Sequence, residues 1–505
     1  MSSATIARHR NQPRNIEAPK KHTTLNQLLP LITAAVGAGL ITILRYEGIA
    51  LKLTNDWAMT VFALIGYISA SVLMGTYLFT RDRKIARAGV WVFVAALICN
   101  VSAWTGRYIR FQYYPLNDLY DVALWFSMLG GAVSLFVSER LGHRYLLAII
   151  APVIVLALTT ALLMGGEAPN LPPALRSYWR PLHVSFAVTS YAFCGVAFCV
   201  GLLHLLKERV SLASMGIFAA ACGTIIYSVV SYGTILLDGT YALGVQIRTP
   251  EGVRTLEPIG EHIQGRSPEF LRAIVPGVGG MMRLALITLL AAFVVFLIAY
   301  FKDDDRWRRI GHYIMRGSLV AQAIGLVWLF AGARALTNVA EHIPVWQMNK
   351  VPMENVRMVS SQLVVSPQAN PIELSGLITA AMMTLFIVAM SFKTERILAI
   401  LPSSERLDDL TYRLASIAFP LLTLLLITGA VWANESWGRY WSWDPKENAA
   451  LLTWLIYGIY LHVRIMRGWQ GKRSAYFAVI GFAAVVFAFI GISFLPLNSL
   501  HAYIQ

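Results

Sequence analysis

Thirteen stretches of about 20 predominantly apolar residues, each long enough to cross a bilayer as a helix, set the terms for this sequence. They centre on 27–45, 57–79, 88–106, 117–137, 145–164, 181–206, 211–236, 279–301, 315–337, 371–392, 412–432, 448–466 and 475–495. The expected fold is all-α, a polytopic integral membrane protein with about 13 transmembrane helices. Composition agrees: 57% of the 505 residues are hydrophobic and 14% charged, against about 45–50% and about 25% in soluble domains.

Basic residues predict the orientation. Taking alternate connections, one face receives the arm 1–26, with Arg8, Arg10, Arg14, Lys20 and Lys21, and the segments Arg81–Arg87, Arg140–Arg144, Lys207–Arg209, Lys302–Arg316, Lys393–Arg413 and Arg464–Arg473. That is about 26 of the 42 Lys and Arg residues, which makes this face cytoplasmic by the positive-inside rule. The N-terminus is then cytoplasmic and the C-terminus extracytoplasmic. Most of the net charge of +15 is this topology signal, so no nucleic acid partner is expected. The arm is too long and polar for the start of a cleavable signal, and 27–45 reads as an uncleaved anchor. Two outer connections, 237–278 and 338–370, are long loops, the first punctuated by Pro250, Gly252, Pro258, Gly265, Pro268, Pro276 and Gly277. Loops of that length are functional lids, docking surfaces or disordered.

Cys99, Cys194, Cys199 and Cys222 all fall within predicted spans and make no CxxC pair. A redox or structural zinc site needs closer thiols, so these read as small core residues. With no CxxCH in the sequence, a c-type haem attached to this chain itself is excluded.

The chemistry gathers between two late spans. Trp437-Gly-Arg-Tyr-Trp-Ser-Trp-Asp-Pro-Lys-Glu447 packs three tryptophans, a tyrosine, two acids and two bases into eleven residues, with Trp432 before it and Trp454 after. Trp and Tyr do collect at headgroup level, but such belts are scattered, and this cluster has Gly438 and Pro445 to fix its turns. It reads as a platform for a flat, hydrophobic ligand that also carries charged groups, and a porphyrin with its propionates fits. Histidine at a membrane is informative because it is expensive there unless it faces the bundle interior. His9, His22, His143, His204 and His312 sit in basic or interfacial positions, and His262 and His342 in the long loops. Three remain: His183 at the outer start of its span, His501 after the last span, and His462, 14 residues into the span that follows the Trp loop. His183 and His501 share the predicted outer face with the Trp loop, an arrangement open to a bis-histidine haem site or to unrelated polar residues satisfied within the bundle.

The stretch Trp437 to Asn448, followed by Leu451 to His462, resembles the tryptophan-rich WWD signature of haem-handling proteins of cytochrome c biogenesis. Among these it is most similar to the CcsA (ResC) proteins of the two-component cytochrome c assembly system. Gly106 to Tyr120, with Pro115-Leu-Asn-Asp-Leu-Tyr120, resembles an early outer loop of that family. Pro181-Leu-His183 to Tyr191 resembles its first haem-ligand helix, and Asn498-Ser-Leu-His501 its C-terminal ligand segment.

The resemblance implies that His183 and His501 hold the iron of haem b over the loop, and that His462 lies on a transmembrane haem route. It implies that Trp437, Trp441, Trp443 and Asp444 form the signature, with Tyr440 beside them in the platform. Arg439 and Lys446 are possible propionate partners, or they pair with the loop's own acids. The implied function is haem delivery and presentation at the outer face, supporting thioether attachment to the CxxCH of apocytochrome c as part of a cytochrome c synthase (haem lyase) complex. A ResB/CcsB-type subunit is the implied partner, and the absence of an external dithiol points to a separate thiol reductant. The alternative is haem transport or chaperoning without ligation; a more distant one is a general transporter whose Trp loop is an interfacial gate.

The organisation departs from the family's. Beyond the arm 1–26, an N-terminal bundle 27–208 carries His183 and a WWD core occupies 408–505. Residues 209–407 look inserted, with their two long outer loops.

Overall fold

The computed structural model describes residues 25–48, 55–112, 114–116, 118–141, 144–164, 177–208, 211–230, 234–249, 252–255, 272–343, 363–365, 371–392, 398–399, 401–489 and 492. Thirteen of its helices are long and apolar enough to cross a membrane, as expected. In chain order they are α1 (Leu25–Tyr46), α2 (Asp56–Thr80), α3 (Arg83–Phe111), α4 (Leu119–Leu141), α5 (Leu147–Met164), α6 (Trp179–Lys207), α7 (Leu212–Val229), α8 (Val278–Lys302), α9 (Asp305–Ala335), α10 (Pro371–Phe392), α11 (Ser404–Trp437), α12 (Pro445–Arg467) and α13 (Lys472–Phe489).

Two helix starts run well past the apolar windows where an aspartate caps them. Asp82 and Asp304 each accept a hydrogen bond from the backbone N–H two residues on, so α3 and α9 start in charged sequence well before their apolar runs. The span expected over 211–236 ends at Val229 instead, and a single helical turn, Thr234–Leu237, follows.

Helix α6 is central. It packs along α11, α13 and α4, and so joins the α1–α5 group to α11–α13. Helices α7–α10 form a second bundle that meets the first where α10 lies against α5. Within it the Gln322 amide donates to Ser318 Oγ on the same helix at 3.1 Å and across to Thr384 Oγ1 of α10 at 3.0 Å.

Both long connections, expected as loops, contribute strands. β1 (Ala242–Thr249) pairs antiparallel with β2 (Gly252–Thr255), β3 (Arg272–Ile274) and β4 (Leu363–Val365). Pro and Gly punctuation hid them, although Leu243-Gly-Val-Gln-Ile-Arg-Thr249 alternates in the strand period. Arg272 of β3 clamps this sheet to the bundle through Glu373 at the start of α10, at 2.6 Å.

A second ionic cluster ties α2, α3 and α4 together at the end of the bundle where α3 stops and α4 begins. The fully buried Arg107 contacts Asp121, Asp118 at 3.4 Å and Asp56 at 3.6 Å. Its guanidinium also lies 4.6 Å from the centre of the Tyr120 ring. Asp118 caps α4 by accepting from the Asp121 N–H at 2.7 Å. Burial pushes the Asp118 carboxyl up to about 7, and the nearby Asp121 charge adds to the rise. With the folded value above the ordinary 3.8, the native state holds a proton that the unfolded chain has released. This contribution to stability is full below about pH 4 and lost as pH rises through about 7. Asp118→Asn keeps a capping side chain but cannot titrate. Between pH 5 and 8 the native chain is expected to lose about 2–4 kcal/mol relative to this variant, read from thermal unfolding midpoints. Parallel pH profiles would refute the assignment.

Candidate functional site

The Trp-rich segment is a short, tightly capped turn between α11 and α12. Helix α11 stops at Gly438, whose φ of +73° suits a residue without a side chain and whose N–H donates to the Asn434 carbonyl. Helix α12 starts with a capping box. The Asp444 carboxylate accepts from the Lys446 N–H at 2.9 Å, the Glu447 carboxylate accepts from the Asp444 N–H at 3.2 Å, and Pro445 takes the first helical position. Glu447 also accepts from the Ser442 N–H at 2.8 Å. Asp444, expected within the ligand platform, is buried here as a helix cap. Trp443 adopts φ of +59°, unusual for a bulky residue. The Asn448 side chain steadies it by donating to its carbonyl at 2.9 Å.

Beside this turn lies a cavity of about 150 Å³, walled by α6, α11, the turn, the starts of α4 and α12 and the end of α13. His183, Trp437, Tyr440, Trp441 and Lys446 line it, so five of the expected site residues converge. Arg180, Trp432 and Asp118 line it as well. The half-buried His183 ring stacks on Trp432, with centroids 5.7 Å apart and planes at 22°. Trp437 meets the other side of this group, 5.0 Å from Trp432. His183 Nδ1 lies 3.0 Å from the Leu425 carbonyl oxygen. A carbonyl only accepts, so in this contact Nδ1 is the donor. Metal-binding histidines are held in this way, the second ring nitrogen anchored on a carbonyl.

Other expected residues stand apart. Trp443 is 71% exposed and touches Trp441 edge-on at 6.0 Å. Arg439 is exposed, and neither it nor Trp443 lines the cavity. His462 is exposed on α12, 18 residues beyond Asp444 and so about 27 Å along the helix. His501 lies outside the described residues.

Arg180, Trp432 and Asp118 were not expected as site residues. For Arg180 a signal existed: it precedes His183 by three positions, which puts both on one face of a helix. The donor set suits haem. One imidazole presents Nε2, indole faces supply apolar area, and two cationic side chains, Arg180 and Lys446, could take two carboxylates.

A sequence model of the family described as Cytochrome C assembly protein matches residues 116–246 and 370–499, just over half of the chain. The chain belongs to that family. Similar relatives carry the name Cytochrome c biogenesis protein CcsA. The one from Cyanophora paradoxa is 54% identical over 106 residues, covering 21% of this chain and 33% of its own length. That from Gloeobacter violaceus is 55% identical over 100 residues, covering 20% and 29%. That from Microcystis aeruginosa is 47% identical over 125 residues, covering 25% and 37%. Each alignment thus spans about a third of the relative's length. As a member of the cytochrome c assembly family, this CcsA-like chain keeps α4–α7 and α10–α13 within the matched segments; α1–α3 precede them, and α8 and α9 fall in the unmatched stretch between.

Proposed function

We propose that this chain holds haem b at the extracytoplasmic face, in the cavity beside the Trp-rich turn, and supports its attachment to apocytochrome c. The observation that carries this reading is His183, stacked on Trp432 with Nδ1 on the Leu425 carbonyl, in a cavity that Arg180 and Lys446 also line. His183 would hold the iron together with His501, at the same predicted face. Arg180 and Lys446 receive the propionates, and Trp432, Trp437 and Trp441 cover the ring. Arg439 and Trp443 serve the rim instead. Two imidazoles would hold the iron and set its potential.

The chain contributes position. In the joining reaction each thiol of a CxxCH adds across one vinyl group: the S–H bond breaks, C–S and C–H bonds form, and there is no net oxidation. Holding the acceptor still converts a bimolecular step into an effectively unimolecular one. A ResB/CcsB-type subunit completes the synthase, and a separate reductant keeps the CxxCH thiols reduced. The exposed position of His462 on α12 suits a haem route closed by that partner. The cytoplasmic N-terminus, the inner or thylakoid-type membrane and the organisation into an arm 1–26, a bundle 27–208, a middle region 209–407 whose α8 and α9 lie outside the matched segments, and a core 408–505 belong to this reading.

The test is a reconstitution. The full chain, purified with its ResB-type partner, is given reduced apocytochrome, and haem that stays with the polypeptide through denaturing electrophoresis is measured. Covalent haem supports the synthase. Haem-loaded protein that transfers haem without thioethers makes it a haem transporter or chaperone, and a preparation that takes up no haem refutes the site.

A further inference from the structure

We propose that Gly429 is a positioning residue for His183, selecting which imidazole nitrogen faces the ligand. The inference rests on the haem reading for the identity of that ligand, but the contact it describes is part of this chain alone. Leu425, Gly429 and Trp432 follow one another on α11 at spacings of four and three, so they form one stripe of the helix. His183 of α6 meets all three. Its Nδ1 reaches the Leu425 carbonyl at 3.0 Å, its ring stacks on Trp432, and its edge fills the place where a side chain at 429 would stand.

A Cβ at 429 would lie 2.8 Å from both Cε1 and Nδ1 of His183, and 3.7 Å from Nε2. Contacts that short do not survive, so the ring would have to move. The stack on Trp432 and the packing of α6 on α11 close the side toward α11, so the ring turns away from that helix toward the cavity. Rotation away from α11 breaks the bond to Leu425 and removes what holds the proton on Nδ1. Nδ1 and Nε2 then compete for proton and metal, and the donor no longer has a fixed direction. Steric clash with the ring edge, not helix stability, is therefore the reason for glycine here. Alanine is the better helix former in the interior of a helix, and Gly75 of α2, with nothing within 4 Å of its added Cβ, shows what a permissive helical glycine looks like.

The experiment reads the tautomer directly. The full chain, labelled with ¹⁵N in its histidine rings and free of haem, is studied in detergent at pH 8. The His183 signals are identified by their loss in His183→Ala. In the native chain His183 is expected as the Nδ1–H tautomer with a hydrogen-bonded proton. Gly429→Ala is expected to shift it toward Nε2–H or to an average of the two, and to weaken haem retention at least tenfold, while Gly75→Ala behaves as native. A native His183 in the Nε2–H form overturns the proposal even if Gly429→Ala fails to fold, and haem uptake by that native chain, measured separately, decides the haem reading. An unchanged tautomer and unchanged retention in a folded Gly429→Ala overturn it too. The expected tautomer shift in a chain that takes up no haem leaves the positioning role standing and removes the haem reading.

Discussion

His183→Ala is expected to abolish the low-spin haem spectrum of the detergent-purified chain and to reduce haem retention by roughly 100-fold or more. Removing a partner that merely orients a metal ligand costs about 10–100-fold in affinity, and this substitution removes the ligand itself. The aromatic walls remain, with Trp432, Trp437 and Trp441 still lining the cavity, so some haem should stay, in a high-spin or solvent-ligated form. Exogenous imidazole, entering the space vacated beside Trp432, should restore part of the low-spin signal. Arg439→Ala, at an exposed position away from the cavity lining, should leave the spectrum unchanged. Arg180→Ala should lower retention without altering the spin state, because it removes a carboxylate partner and not an iron ligand. A His183→Ala protein with native absorption and native haem content would locate the iron elsewhere.

The second large effect is on folding. Arg107 is fully buried among the carboxylates of Asp56, Asp118 and Asp121, the first of which Arg110 also reaches at 3.4 Å. In a low-dielectric interior, removing one partner of such a group leaves uncompensated charge and costs about 3–5 kcal/mol. Arg107→Met is expected to show this loss as a fall in the unfolding midpoint and a broadened profile in size-exclusion chromatography. Arg107→Lys should recover little, since a point charge on a flexible stem cannot contact three carboxylates in the way a planar fork does. Adding Asp121→Asn to Arg107→Met should recover part of the loss, because one of the opposed charges goes with it. Wild-type stability in Arg107→Met would mean that the carboxylates are neutral or solvated without it.

The two predictions differ in how far the sequence announced them. Apolar length alone reveals the thirteen spans, because the bilayer imposes one requirement on every crossing. His183 and the Trp-rich turn are legible by residue type, being costly or conspicuous at a membrane boundary. The capping box was legible too: Asp444-Pro-Lys-Glu447 has its spacing, although the acids read more readily as ligand partners. What stayed hidden depends on pairing across distance. That α6 packs on α11 brings His183 to Leu425 and Trp432 across some 240 residues, and no local pattern encodes this. Gly429 is one glycine among 37 until its neighbour is known. Depth in a span was readable for His462, but the face of α12 it occupies was not, because that depends on which helices lie alongside. Arg107 sits in an early segment read as similar to an outer loop and helix start, and its three acids come from two helix starts, Asp56 at α2 and Asp118 and Asp121 at α4.

The small sheet has a topological consequence. Gln246 of β1, where the first matched segment ends, is paired with Val364 of β4, shortly before the second begins at 370. The chain therefore leaves the shared core and returns to it at neighbouring points in space, carrying α8 and α9 out and back as a closed excursion. A detour that starts and finishes at one doorway can lengthen, shorten or disappear without re-routing the helices on either side of it.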